Sequence, residues 1–235
     1  MRFRRTGRYP DEGRQVDARL TYADTEAMRA NMLNLALTQF LWPHHYRLYA
    51  FFNDCIDRAA DGVRRYLEIG PGHGLYLAVA ASKLRHATTL AAVDISEGSL
   101  QVAAELLRHF AITAPVELRH QDATTLAETE TFDFITAGEL IEHLEDPAAF
   151  LHKLRRLLTP TGRAFITTCA NCPDETHVYR FDTIAAIRSM LASTGYRIEL
   201  ECVAPSADLP VAELERRRLS ISYAALVQRD DATIV

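Results

Sequence analysis

The spacing of hydrophobic and polar residues predicts two helices near the start of the chain. Over residues 25–41, and again over residues 48–59, apolar side chains recur every three or four positions, as on one face of an amphipathic helix. Pro43 interrupts the pattern after the first stretch, and Gly62 is well placed to end the second. We therefore predict a tail and a helical cap over residues 1–62.

The pattern changes after this cap. Short β-rich runs such as RRYLEI, TTLAAVDI, TFDFITA and GRAFITTC alternate with segments of helical spacing. This alternation is typical of βαβ units, which build a doubly wound parallel sheet with helices on both faces. The last two β-rich runs, YRIELECV and LSISYAALVQ, are separated by a polar stretch without a helical pattern, which predicts an antiparallel pair at one edge. We predict an α/β core domain over residues 63–235.

Composition narrows the class of protein. The 235 residues are 48% hydrophobic and 24% charged, as in ordinary globular proteins. A formal net charge of -5 argues against nucleic acid as a partner, because sequence-independent binding relies on positive charge. No apolar run approaches the ~20 residues that span a bilayer, so no membrane association is expected. The basic opening, MRFRRTGR, is expected to be a mobile tail, and the expected location is cytoplasmic.

The four cysteines are too few for a disulfide scaffold. Cys169 and Cys172 form a C-x-x-C pair, with His177 shortly after. A zinc site usually takes four ligands, and the chain has no second C-x-x-C pair. The expectation from sequence is therefore two incidental thiols at a strand end and no metal.

The most informative stretch is YLEIGPGHGLYL. A strand-like run ends in three alternating glycines, Gly70, Gly72 and Gly74, and Glu68 comes two positions before the first. The dinucleotide fingerprint G-x-G-x-x-G would need a glycine where this chain has Leu75. An acidic residue beside the loop would repel pyrophosphate but suit a sulfonium or ammonium group.

A second acidic residue points to a nucleoside. Asp94 ends the strand-like run TTLAAVD, where a carboxylate can accept both hydroxyls of a ribose. Together with the glycine spacing and Glu68, it favours a positively charged nucleoside without phosphates, a description that fits S-adenosylmethionine. An NAD-type oxidoreductase is the weaker alternative, because the glycine spacing does not match.

Four motifs in register give the chain a specific resemblance. They are E68-I-G70-P-G72-H-G74, V93-D94-I95-S96, Q121-D122-A123, and F132-D133-F134 followed by GELIEHLEDP. This series resembles the class I S-adenosylmethionine-dependent methyltransferases, and within them the small-molecule branch that includes the ubiquinone and menaquinone biosynthesis enzymes. The resemblance implies a Rossmann-like, seven-stranded, mostly parallel sheet with an antiparallel last strand, and S-adenosylmethionine as the cofactor.

The resemblance also implies roles for individual residues. Glu68, Gly70, Gly72 and Gly74 would line the methionine end and the sugar of the cofactor, while Asp94 would hold the ribose. The adenine would be contacted by Ile95, Asp122 and Ala123, and Glu139 would face the cofactor. Asp94 and Asp122 could instead be helix caps or turn residues.

Methyl transfer needs a base only when the attacking atom must lose a proton. His143, in GELIEHLEDP, and His177, in the loop after the fifth strand, both follow strands at the edge where the methyl group should lie. They are the candidate catalytic residues, although His143 could be structural and His177 an exposed loop residue.

The expected acceptor is a small biosynthetic metabolite methylated on an oxygen, nitrogen or carbon atom. Candidate substrate contacts are Trp42, His45 and Tyr46, at the junction of the predicted cap helices, and Tyr179, in the loop of His177. An aromatic, partly polar wall suits a ring-bearing molecule, although Trp42 and Tyr46 could equally be interhelical core. A cofactor-binding regulatory subunit without transfer activity is a further alternative. A homodimer is compatible with the sequence.

Overall fold

The computed structural model describes residues 25–174 and 176–231. The basic opening that was expected to be a mobile tail lies outside the described residues. The helices in the described part are α1 Thr25–Leu41, α2 Pro43–Ala59, α3 Leu75–Lys83, α4 Glu97–His109, α5 Pro147–Leu157, α6 Ile184–Ser193 and α7 Val211–Arg217. The strands there are β1 Arg65–Ile69, β2 Thr89–Asp94, β3 Val116–His120, β4 Phe132–Ala137, β5 Leu158–Ala170, β6 Tyr196–Pro205 and β7 Ile221–Arg229.

The seven strands form one sheet in the order β3-β2-β1-β4-β5-β7-β6. Strand β7 runs antiparallel to both of its neighbours, whereas all the other paired strands are parallel. The predicted doubly wound α/β fold with an antiparallel last strand is therefore confirmed. The strand order reverses between β1 and β4, and in open α/β sheets ligands bind at the carboxyl ends of the strands beside such a reversal.

The segment between the last two strands differs from the prediction. It contains the short helix α7, where a polar loop without a helix was expected. Only Leu214 of α7 is buried, so the segment has no hydrophobic periodicity that could reveal a helix. Glu213 forms ion pairs with Arg216 and Arg217, one turn further along. These pairs support the helix from its polar face.

Helix α2 belongs to the core. Phe52 and Ile56 are fully buried, and α2 contacts β6 and β7 of the sheet. The ring of Phe52 lies 4.9 Å from that of Phe165 on β5 and 4.5 Å from that of Tyr76 on α3. Helix α2 thus closes one face of the sheet, as α3 and α4 do.

Helix α1 packs in a different way. Met28 and Met32 are buried against Val102 of α4, but Leu37 and Phe40 remain 59% and 55% exposed. Its first residue approaches α4 so closely that a Cβ on Gly98 would lie 2.7 Å from the carbonyl oxygen of Thr25. Helix α1 therefore lies on the outside of α4 as a cap with one uncovered apolar face. Within the described residues, no helix is both long enough and apolar enough to cross a membrane.

Candidate active site

The glycine loop lies at the carboxyl end of β1, beside the strand-order reversal. Gly70, Gly72 and Gly74 have φ values of 66°, 51° and 80°, a region that side-chain-bearing residues rarely adopt. The amide of Gly70 donates to the carbonyl of Val93 at 2.8 Å, which ties the loop to β2. The loop thus presents backbone without side chains at the three glycines, at the position where a ligand would bind.

Gly74 has a second reason to be glycine. It begins α3, and a Cβ at this position would lie only 2.7 Å from the Cα of Ala103 on α4. The close packing of these two helices fixes where the loop turns into α3. Gly72 instead faces the cap, because a Cβ there would meet the sulfur of Met32 at 3.1 Å.

Glu68 is buried on β1 with 2% of its surface exposed. The hydroxyl of Tyr66 donates to its Oε2 at 2.7 Å and lies 3.0 Å from the hydroxyl of Thr136 on β4. Burial raises the pKa of Glu68 to about 8, and the Tyr66 hydrogen bond only partly opposes this. Burial thus favours the protonated form of this carboxyl, and a cation bound beside the loop would favour the charged form.

Asp94 lies at the end of β2, beside the glycine loop. Its Oδ1 accepts a hydrogen bond from the amide of Ser96 at 2.8 Å. Burial raises the pKa of Asp94 to about 6, and hydrogen bonds from the backbone of Ser96 and Gly72 oppose this rise. The next side chain, Ile95, is 44% exposed, so its apolar surface is free to contact a ligand.

Asp122 and Ala123 lie next to Asp94, because the amide of Gln121 donates to the carbonyl of Asp94 at 2.9 Å. The Oδ1 of Asp122 accepts from the amide of Thr124 at 2.9 Å and from its hydroxyl at 2.7 Å. Asp122 thus caps a short 3₁₀ turn, the role that sequence left open for it. Capping by Oδ1 is compatible with a ligand contact through the other carboxylate oxygen.

Glu139 follows β4 and has a φ of 47°, an uncommon value for a residue with a side chain. Its amide donates to the hydroxyl of Thr167 at 2.9 Å, and β5 thereby holds the turn in place. Desolvation by surrounding protein and the charge of Glu142 raise the pKa of Glu139, although solvent still reaches its side chain. The carboxyl therefore lies in an open cleft between the ends of β4 and β5.

The structure brings the two candidate catalytic histidines together. The ring centroids of His143 and His177 are 4.9 Å apart. Nδ1 of His143 lies 3.0 Å from the carbonyl of Thr176, and Nδ1 of His177 lies 2.8 Å from the carbonyl of Cys172. A carbonyl can only accept, so Nδ1 carries a proton in each ring, and in the neutral form of either ring the lone pair is on Nε2. Desolvation and the neighbouring His143 lower the pKa of His177, which favours its neutral form.

The candidate substrate residues divide into two groups. Trp42 and Tyr46 are 49% and 51% exposed at the α1–α2 junction, and the ring of Trp42 lies 4.9 Å from that of His45. Desolvation and His45 lower the pKa of His73 in the glycine loop to about 4, so this junction lies near the loop. Tyr179 is in the His177 loop, where its amide donates to the carbonyl of Glu142 at 2.9 Å.

Three neighbours of the site were not predicted from sequence. Tyr76 of α3 lies against the turn after β4, where a Cβ on Gly138 would meet its ring at 3.1 Å. Thr136 contacts the hydroxyl of Tyr66, which is the hydrogen-bond partner of Glu68. Met32 lies against Gly72 of the glycine loop. The alternation of Tyr66 and Glu68 on one strand face could have suggested their pairing, but contacts with Met32 and Tyr76 depend on helix packing that no local pattern encodes.

A large surface depression lies far from these groups. It has a volume of about 610 Å³ and is lined by residues including Ser82, Leu90, Phe110 and Pro115. These residues belong to the amino ends of β2 and β3 and the ends of α3 and α4. The volume of this depression would suit a ligand, but the ionisable side chains and the left-handed glycines converge at the opposite edge of the sheet.

Comparison with known families agrees with this assignment. Residues 67–164 match a protein family described as a methyltransferase domain. Residues 67–164 form an S-adenosylmethionine-dependent methyltransferase domain. Its glycine loop, Asp94 and the turn of Asp122 all fall inside the matched residues, and S-adenosylmethionine is the cofactor of such domains.

Curated relatives match only part of this chain. It is 34% identical over 107 residues to the ubiquinone biosynthesis O-methyltransferase of Paracidovorax citrulli (strain AAC00-1), which covers 45% of this chain and 43% of that protein. The chain thus matches about half the length of such relatives.

Solved structures share the fold of this methyltransferase domain at low identity. The N-methyltransferase NodS from Bradyrhizobium japonicum WM9, in complex with S-adenosylhomocysteine, aligns with a TM-score of 0.62 and 16% identity, covering 82% of this chain and 91% of that one. The [4+2]-cyclase SpnF aligns with a TM-score of 0.59 and 16% identity, covering 75% of this chain and 79% of that one. The same fold therefore supports different reactions, and the acceptor has to be argued from the site.

Proposed function

We propose that this protein transfers the methyl group of S-adenosylmethionine to a hydroxyl oxygen of a small, ring-bearing biosynthetic metabolite. The observation that carries the proposal is the pair His143 and His177, which lie together at the carboxyl edge of the sheet, each with Nδ1 against a backbone carbonyl. The matched relatives named as O-methyltransferases support an oxygen acceptor over nitrogen or carbon.

The residues at this edge fit the cofactor. Three left-handed glycines give the backbone close access to a ligand, and Asp94 lies beside them as a potential acceptor for ribose hydroxyls. Ile95 offers exposed apolar surface for an adenine. The cofactor supplies an activated methyl group on a sulfonium, so the protein has to align the acceptor and exclude water.

A hydroxyl acceptor must lose its proton as the oxygen attacks the methyl carbon. The carbon–sulfur bond breaks as the new carbon–oxygen bond forms, the bonding pair stays on sulfur, and the proton needs a base. We assign that base to His143, because its Nδ1 is held by the carbonyl of Thr176 and Nε2 is then the nitrogen that would accept the proton. His177 stands beside it and was the preferred candidate from sequence, but its ring is also engaged with Cys172 and Cys169.

The aromatic junction of the cap supplies a wall for the acceptor. Trp42 and Tyr46 expose large apolar faces, and His45 is held by the hydroxyl of Thr38 at 2.8 Å. Such a wall suits a planar ring with polar substituents. Helix α1, whose Met32 lies against Gly72, would close over the cofactor.

Calorimetric titration with S-adenosylhomocysteine, beside NADH as a control, tests the cofactor. Binding of S-adenosylhomocysteine alone is expected, and binding of NADH alone would refute the proposal. Transfer is then tested by screening phenolic, amine and carbon acceptors for uptake of labelled methyl. We expect His143→Asn to slow transfer by ~10²–10⁴-fold, the usual contribution of a general base, with little change in S-adenosylhomocysteine affinity.

A protein that binds the cofactor without transferring a methyl group is the alternative to exclude. It predicts tight S-adenosylhomocysteine binding but no label uptake by any acceptor class. A labelled phenolic product that depends on His143 would rule it out. A labelled amine product insensitive to His143→Asn would instead keep methyl transfer and reject the oxygen acceptor.

A further inference from the structure

A cluster of metal-binding side chains lies next to the two histidines, at the end of β5. One ligand atom from each of Cys169, Cys172 and His177 lies within 4.8 Å of the others. No metal was expected here from sequence, because the C-x-x-C pair stands alone along the chain. In the fold, His177 joins the pair from the following loop.

Local backbone geometry brings the two thiols together. Cys169 is near the end of β5, and Asn171 then adopts a φ of 54°, which turns the chain so that Cys172 comes back beside Cys169. The turn is fixed, because the amide of Asn171 donates to the carbonyl of Phe181 at 2.9 Å and its side chain donates to the carbonyl of Asp182 at 2.8 Å. A metal ion bound at this turn would thus find the two thiols already side by side.

The ring of His177 lies beside the two cysteines. Its Nδ1 lies 2.8 Å from the carbonyl of Cys172 and 4.0 Å from the sulfur of Cys169. Metal-binding histidines almost always donate their other ring N–H to a carbonyl, carboxylate or water, which fixes the tautomer. The bond to Cys172 supplies that feature and leaves the lone pair of Nε2 for a metal.

Glu142 provides an independent indication of a ligand. Its side chain is only 1% exposed, and the hydroxyl of Thr168 donates to its Oε2 at 2.8 Å. The other oxygen, Oε1, is buried with no partner in hydrogen-bond geometry among the described residues, although the carboxyl of Glu139 interacts with the Glu142 side chain. A buried carboxylate oxygen without a partner is costly, and a cation would satisfy it.

The position of Glu142 fits a fourth ligand. It forms one group within 4.8 Å with Cys169 and Glu139, and another with His177 and His143. It therefore reaches two of the three side chains in the cysteine–histidine cluster. Two thiolates, one imidazole and one carboxylate make a ligand set that suits zinc, which prefers four tetrahedral nitrogen, sulfur and oxygen donors.

We infer that the protein binds one Zn²⁺ ion through Cys169, Cys172 and His177, with Glu142 as the fourth ligand. Both thiols lose a proton when the ion binds, and His177 is then a ligand rather than a base. The ion would pin the loop after β5 to the turn after β4. That loop carries the Thr176 carbonyl that orients His143, so zinc would position the proposed base without contacting the acceptor.

Metal content of the 235-residue chain, purified without a histidine tag, tests this inference. Elemental analysis after growth with added zinc should find one zinc per chain. Cobalt substituted for zinc should show an intense thiolate-to-metal charge-transfer band, which a site without cysteine cannot give. Cys172→Ser and His177→Ala should each weaken zinc binding by more than the ~10–100-fold cost of losing an outer-shell partner.

Cys202→Ser is the matched control, because Cys202 lies on β6 outside the cluster. It should keep full zinc content and the cobalt band. Equal zinc content in wild type and Cys172→Ser would overturn the inference. A preference for Mg²⁺ or Mn²⁺ over zinc would also overturn the inference if Cys172→Ser retained it. Such a result would place a harder ion among the carboxylates and histidines.

A disulfide between Cys169 and Cys172 in protein purified under reducing conditions would also overturn the inference, and mass spectrometry would show it as the loss of two hydrogens. Zinc binding is measurable whether or not the chain methylates a phenolic acceptor. Titration of each variant with S-adenosylhomocysteine keeps the two proposals separate. Loss of zinc with unchanged cofactor affinity would support the metal site as its own feature.

Discussion

Asp94 shows how one buried carboxylate can control cofactor binding. We expect Asp94→Ala to weaken S-adenosylhomocysteine binding by about 1.5–3 kcal/mol, the usual worth of a hydrogen bond to a charged group. Asp57→Ala on the outside of α2 is the control and should leave affinity unchanged. Calorimetry measures both, and equal affinity of Asp94→Ala and wild type would contradict the ribose role.

The raised pKa of Asp94 adds a pH signature to that experiment. The group titrates at about 6 in the folded protein, and only its ionised form is a charged acceptor for ribose hydroxyls. Affinity in the wild type should therefore fall as the pH drops through about 6. Asp94→Ala should show a flatter profile.

Glu68 makes stability depend on pH. Its pKa is about 8 in the fold against 4.5 in the unfolded chain, so between these values the folded state holds a proton that the unfolded state has lost. The stability that Glu68 contributes is fully present below pH 4.5, and it is lost as the pH rises from there to about 8. The loss cannot exceed ~5 kcal/mol at 1.4 kcal/mol per pH unit.

Glu68→Gln should remove this dependence, because an amide stays neutral and its oxygen still accepts from Tyr66. Urea unfolding at pH 5 and pH 9 should show that the variant loses less stability than wild type over that interval. Glu145→Gln, an exposed substitution, should behave as wild type. Parallel losses in Glu68→Gln and wild type would mean that Glu68 is ionised in the fold.

At the scale of elements, sequence periodicity predicted most helices and strands because each buries one face against the sheet. The first helix was predicted over residues 25–41 and is found at Thr25–Leu41. Helix α7 was missed because a single buried leucine leaves no periodic pattern. The roles of Met32 and Tyr76 could not be predicted either, since they arise where two helices from distant parts of the chain meet.

The same reasoning explains which site residues were accessible from sequence. The loop glycines, Asp94 and Glu139 each lie at or just after the carboxyl end of a strand. They converge because parallel strands end at the same edge of the sheet. The grouping of Glu142 with Cys169 and His177 depends on the turn at Asn171 and on the loop after it. Such loop conformations leave no periodic signal.

The contact between α3 and α4 gives a direct test at this scale. Gly74→Ala would place a Cβ 2.7 Å from the Cα of Ala103 and strain a residue with a φ of 80°. We expect it to destabilise the fold by at least ~1–3 kcal/mol, the range for a residue held in a sparsely populated conformation, and to weaken cofactor binding. Thermal unfolding and calorimetry measure the two effects.

Gly62→Ala is the matched control. A Cβ there would have the carbonyl of Ala59 as its nearest neighbour at 3.7 Å, an ordinary contact, and its residue is exposed. This variant should be close to wild type in both measurements. If Gly74→Ala were equally harmless, the two helices could separate without disturbing the loop.

At the scale of the whole molecule, the N-terminal helices have unequal roles. The cap was predicted to extend to residue 62, but α2 fills one face of the sheet with Phe52 and Ile56, whereas α1 leaves much of its apolar surface uncovered. We therefore expect a chain that begins at Trp42 to fold and to lose acceptor recognition. A chain that begins at Val63 should not fold.

Circular dichroism and thermal unfolding of the two truncations check this expectation. Phe52→Ala in the full chain provides a second measurement, with an expected loss of ~3–5 kcal/mol for removing a buried aromatic ring. Such a loss is a large part of the 5–15 kcal/mol that stabilises a typical domain. A stable protein lacking residues 1–62 would show that α2 is a removable lid like α1.

The position of β7 has a consequence for how the chain is made. This strand is the last one in the described part of the chain, yet it lies inside the sheet between β5 and β6. Until the ribosome has released Ile221–Arg229, the long edge of β5 has no partner and β6 has nowhere to pair. Open strand edges recruit other chains, so translation that stops before Ile221 should yield aggregates rather than a smaller folded protein.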